Sequence, residues 1–186
     1  MYAEGEVMQT ALVVPDIRAA MAAFMRDPGA GPWFWRERGV FPRQTLRGRP
    51  VQTALSIAMA WQGAMLCELI EVLDDGPTVY DAVRAQGGGA ASLRGGDLRL
   101  FGGLRGAGGS GHALVYESEV ANGARVGYFD TKGRLPAMIE VIECLPGTLA
   151  MFGRIRDAHI GWDGTDAVRP LAPRAPLTGI GPGISA

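Results

Sequence analysis

The most regular pattern of apolar and polar residues in the chain occurs twice. Residues 65–73 and 137–145 align without a gap, and the alignment places Glu68 on Glu140. Each run consists of β-branched and large apolar residues interrupted by carboxylates, which is typical of a mostly buried strand. A carboxylate inside such a strand is costly unless it is protonated, paired or bound to a cation. Two of them at equivalent places in a repeat predict a two-fold site with a function.

The pattern before the first run predicts a β-α-β-β-β module over residues 1–75. Residues 7–14 are a strand candidate, and Asp16 follows as an N-cap for an Ala-rich helix over 17–25. Two further strands are predicted around the connection at 47–50, and residues 65–73 close the module.

A second module is predicted over residues 76–146, but its beginning departs from the pattern. From Gly87 to Gly111, 11 of 25 residues are Gly, which opposes both helix and strand, so residues 87–111 are predicted to be irregular. Strands resume after this segment and end with the second Glu-bearing run. A closing helix is predicted over 147–163, and the Pro- and Gly-rich tail over 164–186 is expected to be poorly ordered.

Composition narrows the class of protein. The chain has 186 residues, 47% of them hydrophobic, and a formal net charge of −1, which argues against disorder and against a nucleic-acid-binding surface. No apolar run is long enough to span a bilayer, and the N-terminus lacks the pattern of a signal peptide. Cys67 and Cys144 are therefore predicted to be reduced core thiols, and the protein is expected in the cytoplasm.

Two β-α-β-β-β modules that each close on a Glu-bearing strand resemble the vicinal oxygen chelate superfamily, which includes glyoxalase I, methylmalonyl-CoA epimerase, extradiol dioxygenases and the bleomycin- and fosfomycin-resistance proteins. The resemblance covers roughly residues 7–145, and its most specific parts are residues 7–16, the two Glu strands and residues 127–131. It implies an α+β fold in which each module curls into a half-barrel. Four metal ligands from the first and last strands of the modules would then face one cavity.

Carried over residue by residue, the resemblance assigns three ligands. Gln9 matches the first-strand ligand of module one, Glu68 its last-strand ligand, and Glu140 the last-strand ligand of module two. Amide and carboxylate oxygens are hard donors, which favour a divalent cation such as Mg²⁺, Mn²⁺, Fe²⁺, Co²⁺, Ni²⁺ or Zn²⁺. Glu68 or Glu140 would also serve as the proton-transfer base. The competing interpretation is that each Glu lies on an edge strand and reaches solvent.

The fourth ligand is missing from the pattern. The resemblance implies a first strand of module two that carries a His or Gln ligand, and residues 89–96 occupy this place in the sequence. Ser92 or Leu93 lies near the ligand position. His112 and His159 do not fit this position and are predicted to be structural or surface residues.

A frameshift hypothesis accounts for both the glycines and the missing ligand. If residues 89–111 are back-translated with G/C-rich codons and read one base later, they can encode a His-His strand, an Asp cap and an Ala-rich helix start, with the second His aligned on Gln9. We therefore predict a local frameshift over about 89–111, in the gene or in its reading. The intact mass of the protein from its native source tests this prediction, because a mass that matches the sequence as written contradicts it.

The resemblance implies a metal-dependent isomerase, epimerase or lyase that acts on a small carbonyl compound or acyl thioester. Tyr128 would face the substrate or pack in the core. The rival is a non-catalytic small-molecule-binding protein of the resistance type, in which Trp33, Phe34 and Trp35 line the groove; these aromatics could instead wedge an edge strand. A third alternative is an inactive product of the frameshift. A homodimer is a further expectation, because modules of this kind also pair between chains.

Overall fold

The computed structural model describes the backbone of residues 7–96 and 112–171, and the side chains of 8–90 and 112–171. Its elements in chain order are β1 Val7–Val13, α1 Ile17–Arg26, β2 Trp33–Val40, β3 Thr45–Leu46, β4 Arg49–Pro50, β5 Ala54–Gln62, β6 Met65–Val72, α2 Asp81–Arg84, β7 Gly89–Gly96, β8 Ala113–Glu119, β9 Arg125–Asp130, β10 Met138–Ile142, α3 Pro146–His159 and β11 Val168–Pro170. Within these residues no helix is both long and apolar enough to cross a membrane.

The strands form one mixed sheet that joins the two modules. Its order is β11-β2-β5-β6-β1-β7-β10-β9-β8-β3-β4. In each module the first strand runs parallel to the last, as β1 does to β6 and β7 does to β10, and the modules meet at the antiparallel pair β1–β7. The hairpin β3–β4 belongs to module one but pairs with β8 of module two. The predicted α+β fold with two related modules is confirmed.

Strict alternation along the strands separates an inner face from an outer face. On β5, Leu55, Ile57 and Met59 belong to the inner apolar cluster, whereas Ala58 and Ala60 belong to the outer cluster under α1. Small outer residues on this strand leave room for the helix to pack closely against the sheet.

Helix α1 begins where the sequence predicts. The Asp16 carboxylate accepts a hydrogen bond from the Ala19 N–H at 2.9 Å, as expected of an N-cap. Ile17 and Met21 are buried against the outer face of the sheet. The carboxylate of Glu71, at the end of β6, also accepts a hydrogen bond from the Ile17 N–H at 3.3 Å.

The prediction of irregular chain from residue 87 onward is wrong for residues 89–96, which form β7. This strand is the sixth of eleven and is hydrogen-bonded on both sides, so ladder bonds outweigh the low strand propensity of glycine. Gly88 explains part of the glycine excess, because it has φ +107° and a Cβ there would lie 2.6 Å from the Val13 carbonyl oxygen. The remainder of the Gly-rich segment lies outside the described residues.

The predicted closing helix over 147–163 is observed as α3, but the expectation of poor order from residue 164 is wrong as far as residue 171. Strand β11 lies parallel to β2, which would otherwise be an open edge of the sheet. Backbone bonds anchor it at both ends, from the Trp33 N–H to the Ala167 carbonyl at 2.8 Å and from the Leu171 N–H to the Trp35 carbonyl at 2.9 Å. The rest of the predicted tail lies outside the described residues.

Candidate functional site

The three residues that the sequence analysis assigned as ligands are all buried in the structure. Gln9 and Glu140 are 0% exposed and Glu68 is 2% exposed, so the interpretation that the glutamates reach solvent is wrong. The Gln9 side-chain amide donates a hydrogen bond to the Glu68 carboxylate at 2.5 Å. Glu68 and Glu140 line one cavity of about 410 Å³, whose walls come from the inner face of the sheet and from α3.

Strand register identifies the position that corresponds to Gln9 in module two. Gln9 lies opposite Leu66, two residues before Glu68. In the same parallel arrangement Ser92 lies opposite Met138, two residues before Glu140. The pairing between the modules has the same symmetry, because Gln9 lies opposite Arg94 and Ser92 opposite Ala11. Of the two candidates for the fourth position, Ser92 and Leu93, the register selects Ser92.

Gln9, Glu68 and Glu140 suit a hard cation, but they are three of the four ligands that the resemblance implies. Among the described residues no group of three or more His, Cys, Asp and Glu side chains could hold a metal ion. Gln9, Glu68 and Glu140 add up to one amide and two carboxylates, and oxygen donors of this kind fit Mg²⁺ or Mn²⁺ better than a metal that prefers sulfur. Serine at position 92 is also an oxygen donor, but its side chain is two bonds shorter than that of glutamine.

The walls of the cavity are mostly apolar. They come from β5, β6, β9, β10 and α3, and include Leu55, Ile57, Met59, Ile70, Val126, Ile142 and Met151. A volume of this size with few polar groups is typical of a small-molecule site.

Three tyrosines form a hydrogen-bonded cluster beside Glu140. The hydroxyls of Tyr80 and Tyr128 are 2.9 Å apart, and the Tyr116 ring packs edge-on against Tyr128 with centroids 5.5 Å apart. Burial, with the charge of Glu140 adding to it, raises the pKa of Tyr80 well above its ordinary value. Burial also raises the pKa of Tyr116 to about 12, although a hydrogen bond with Ser118 acts in the opposite direction. Both phenols are therefore neutral hydrogen-bond donors at physiological pH.

Of this cluster only Tyr128 was singled out from the sequence. Tyr80 lies in the segment that connects the modules, just before α2, where no strand periodicity indicated that it would face the site. Tyr116 follows the alternation of β8, with Ser118 as the next inner residue, and that alternation could have identified it.

Gln44 lies in the segment between β2 and β3, and its side chain holds this segment against β8. Its side-chain carbonyl accepts hydrogen bonds from the Thr53 N–H at 3.1 Å and the Tyr116 hydroxyl at 3.2 Å. Its amide group donates to the carbonyls of Phe41 and Thr53, both at 3.1 Å. This buried side chain therefore links a loop of module one to a strand of module two.

The predicted aromatic lining is not found. Trp33 is fully buried in the outer cluster, and Trp35 donates from its indole N–H to the Ser56 hydroxyl at 2.8 Å. Phe34 belongs to the inner cluster, but the Arg154 guanidinium covers its ring at 5.1 Å. None of the three aromatics lines the cavity. Trp33 and Trp35 belong to the outer face of β2, which packs against α1, and Arg154 covers the ring of Phe34 on the inner face.

The histidines have structural contacts, in agreement with their predicted role. His112 Nδ1 lies 3.3 Å from the Asp130 carbonyl, and His159 Nδ1 lies 2.7 Å from the Gly31 carbonyl. Cys67 and Cys144 are free, as predicted. Burial, with the charge of Glu68 adding to it, raises the pKa of the Cys67 thiol to about 12.

Comparison with known proteins identifies the fold but not a sequence family. No model of a protein family matches the chain, and no curated protein matches it. Among solved structures, methylmalonyl-CoA epimerase from Mycobacterium tuberculosis is similar at 18% identity and a TM-score of 0.51, over 81% of this chain and 97% of that one. A single-substitution variant of Streptomyces coelicolor methylmalonyl-CoA epimerase, in complex with 2-nitronate-propionyl-CoA, is similar at 14% identity and a TM-score of 0.52, over 77% and 97%.

A protein from Bacillus halodurans, described only as hypothetical protein BH1468, is similar at 14% identity and a TM-score of 0.52, over 75% of this chain and 94% of that one. At these identities the likeness concerns the fold. The paired modules, the parallel register of first and last strands and these neighbours all agree with the family suggested by the sequence. The chain has the fold of the vicinal oxygen chelate superfamily.

Proposed function

We propose that the protein moves a proton at the carbon next to a carbonyl group, as an epimerase, isomerase or lyase for a small carbonyl compound or acyl thioester. The observation that carries the proposal is the pair of buried carboxylates, Glu68 and Glu140, at register-equivalent positions around one largely apolar cavity. The fold that this chain shares with methylmalonyl-CoA epimerases supports the same chemistry.

Gln9, Glu68 and Glu140 would hold a divalent cation, with position 92 next to them in the sheet. When bound, such a cation polarises the substrate carbonyl and makes the neighbouring C–H more acidic.

Glu68 belongs to module one and Glu140 to module two, and both carboxylates take part in the proposed proton transfer. One glutamate removes the proton from the carbon, and the carboxylic acid on the opposite module returns a proton to the other face, so that the two groups exchange protonation states in each turnover. The mostly apolar walls lower the local dielectric and so strengthen electrostatic interactions at the buried carboxylates. The neutral Tyr80 hydroxyl, which is hydrogen-bonded to the Tyr128 hydroxyl, lines the same cavity and suits stabilisation of the oxygen on which negative charge develops.

Solvent-isotope exchange tests the proposal. The purified protein, with Mn²⁺ or Co²⁺ added, is incubated in D₂O with methylmalonyl-CoA and with simpler acyl thioesters, and loss of the α-proton signal is followed by NMR. We expect exchange that falls at least about a hundredfold in Glu68→Gln and Glu140→Gln, because each variant loses one proton-transfer group. Glu37→Gln is the control, since Glu37 is exposed and pairs with Arg18 outside the cavity. Equal exchange in all three variants would contradict the assigned roles.

A second candidate is a non-catalytic small-molecule-binding protein. Serine at the fourth ligand position and the apolar cavity favour it, because they would weaken metal binding without impairing capture of an apolar ligand. It predicts that no divalent metal copurifies or raises the melting temperature, while apolar ligands do raise it. Absence of isotope exchange under every metal condition, together with ligand stabilisation, would select this candidate.

A further inference from the structure

We infer that the cavity has a subsite for an acidic group, built on Arg36, with Arg154 lining the same cavity, and that the natural ligand carries a carboxylate or phosphate at the end distant from its carbonyl. This inference deepens the proposed function and rests on it for the reacting end of the ligand. Both arginines are partly buried and line the same cavity as Glu68 and Glu140.

The charges of these two arginines are not neutralised by carboxylates in the part of the chain that the structure describes. Neither Arg36 nor Arg154 forms an ion pair there. The neighbouring Arg38 differs, because it pairs with Asp74 at 3.1 Å. Guanidinium groups that face a cavity and are not paired with a carboxylate are suited to an acidic ligand, for which their fork of N–H donors is well shaped.

Arg36 and the aromatic ring that Arg154 covers lie on the same face of β2. Phe34 and Arg36 are two residues apart on β2 and therefore point to the same inner face. The Arg154 guanidinium lies over the Phe34 ring at 5.1 Å and donates a hydrogen bond to the Leu171 carbonyl. Arg154 is thereby held in place and still has further N–H donors, since a guanidinium carries five.

Space for Arg36 is provided by Gly39. A Cβ at position 39 would lie 2.8 Å from the Arg36 Cδ, so the stem of the arginine runs over the glycine. Gly39 does not have a left-handed φ, and glycine is therefore needed here for space rather than for conformation. The strand also changes register between Arg36 and Gly39, which turns the arginine relative to its neighbours.

The subsite is well separated from the carboxylates. Arg36 is on β2 opposite Ile57, whereas Glu68 is two strands away on β6, opposite Met59. Strand spacing and residue rise put the two backbone positions roughly 10 Å apart. The leucine, isoleucine and methionine side chains of β5 lie between them. A ligand that fills both ends has a carbonyl group, an apolar middle and an acidic terminus.

Binding of simple probes to the purified protein tests the inference. Affinities for hexanoate, hexyl phosphate and 1-hexanol are measured by calorimetry or melting-temperature shift at constant ionic strength. We expect at least one of the two acidic probes to bind about tenfold or more tightly than hexanol, and the tighter one identifies carboxylate or phosphate as the preferred group. Arg36→Gln should lose this preference without losing hexanol binding. Arg38→Gln is the matched control on the same strand and should keep it.

Gly39→Ala gives a second test that leaves every charge in place. Its added Cβ displaces the Arg36 stem, so acidic probes should bind several-fold more weakly while hexanol binding is unchanged. Equal affinity of the wild type for hexanol and both acidic probes would overturn the inference, as would equal losses in Arg36→Gln and Arg38→Gln. None of these measurements depends on proton exchange or on metal, so a failure of the proposed function remains distinguishable from a failure of the subsite.

Discussion

At the scale of single residues, the unusual property of this protein is how many acidic groups it buries on the two faces of one sheet. Glu68, Glu140, Tyr80, Tyr116 and the Cys67 thiol are each at most 6% exposed. The charges of the glutamates and the loss of solvation both oppose ionisation of the phenols and the thiol. Burial of these groups therefore makes the fold sensitive to alkali.

We predict that the free energy of unfolding falls between about pH 9 and pH 12. The pKa of Cys67 rises from 9.0 to about 12 on folding and that of Tyr116 from 10.0 to about 12. Over this window the unfolded chain has lost protons that the folded protein retains, so rising pH favours unfolding by about 1.4 kcal/mol per pH unit for each group. Urea unfolding at a series of pH values measures the slope.

Cys67→Ala provides the control for alkaline stability. It should remove most of the loss between pH 9 and 10, because Tyr116 has little effect below its unfolded pKa. If the wild type has constant stability to pH 11, the thiol and phenols are not held in the protonated form by the fold.

At the scale of elements, β7 carries the most informative difference between sequence pattern and structure. A glycine-rich run with no period forms a central strand because β1 and β10 supply hydrogen bonds on both of its sides. Propensity is a property of the local chain, and these partners are about 80 residues before it and 45 after it. The same register places Ser92 where the frameshifted reading has its second His, and the frameshift itself stays a prediction that the intact mass tests.

Ser92→His is predicted to raise affinity for Mn²⁺ or Co²⁺ about tenfold or more, because it adds a ligand at the position equivalent to Gln9. Competition with a chelator measures the affinity. Leu93→His is the matched control, since the next residue along a strand belongs to the opposite face. Unchanged affinity in Ser92→His, or an equal rise in both variants, would show that the register equivalence does not extend to the metal site.

At the scale of the whole molecule, two connections between distant parts of the chain enclose the cavity. The β3–β4 hairpin of module one pairs with β8 of module two, and β11 pairs with β2 after α3 has contributed a wall of the cavity. Gln44 is the buried side chain at the first connection, and it bonds to both modules. An enclosed cavity therefore depends on contacts that neither module could make alone.

Gln44→Ala is predicted to lower the free energy of unfolding by about 2–4 kcal/mol. It removes the partners of the Thr53 backbone and the Tyr116 hydroxyl in a buried place, where unmade hydrogen bonds are costly. Chemical denaturation measures the change. Gln62→Ala is the control, because Gln62 is exposed and donates only to the Pro28 carbonyl, so its loss should cost less than about 1 kcal/mol.

The sequence by itself determined the modules, the N-cap at Asp16 and the burial of the aligned pair Glu68 and Glu140, because strand alternation and helix capping depend on residues close together in the chain. Only the tertiary structure decided what surrounds that pair. β7 and β11 pair with strands that are distant in sequence, and Arg154 covers the ring of Phe34. Tyr80 and Arg36 line the cavity. These placements follow from the order and register of the strands, which are set by pairings between strands far apart in sequence and leave no periodic signal in the chain itself.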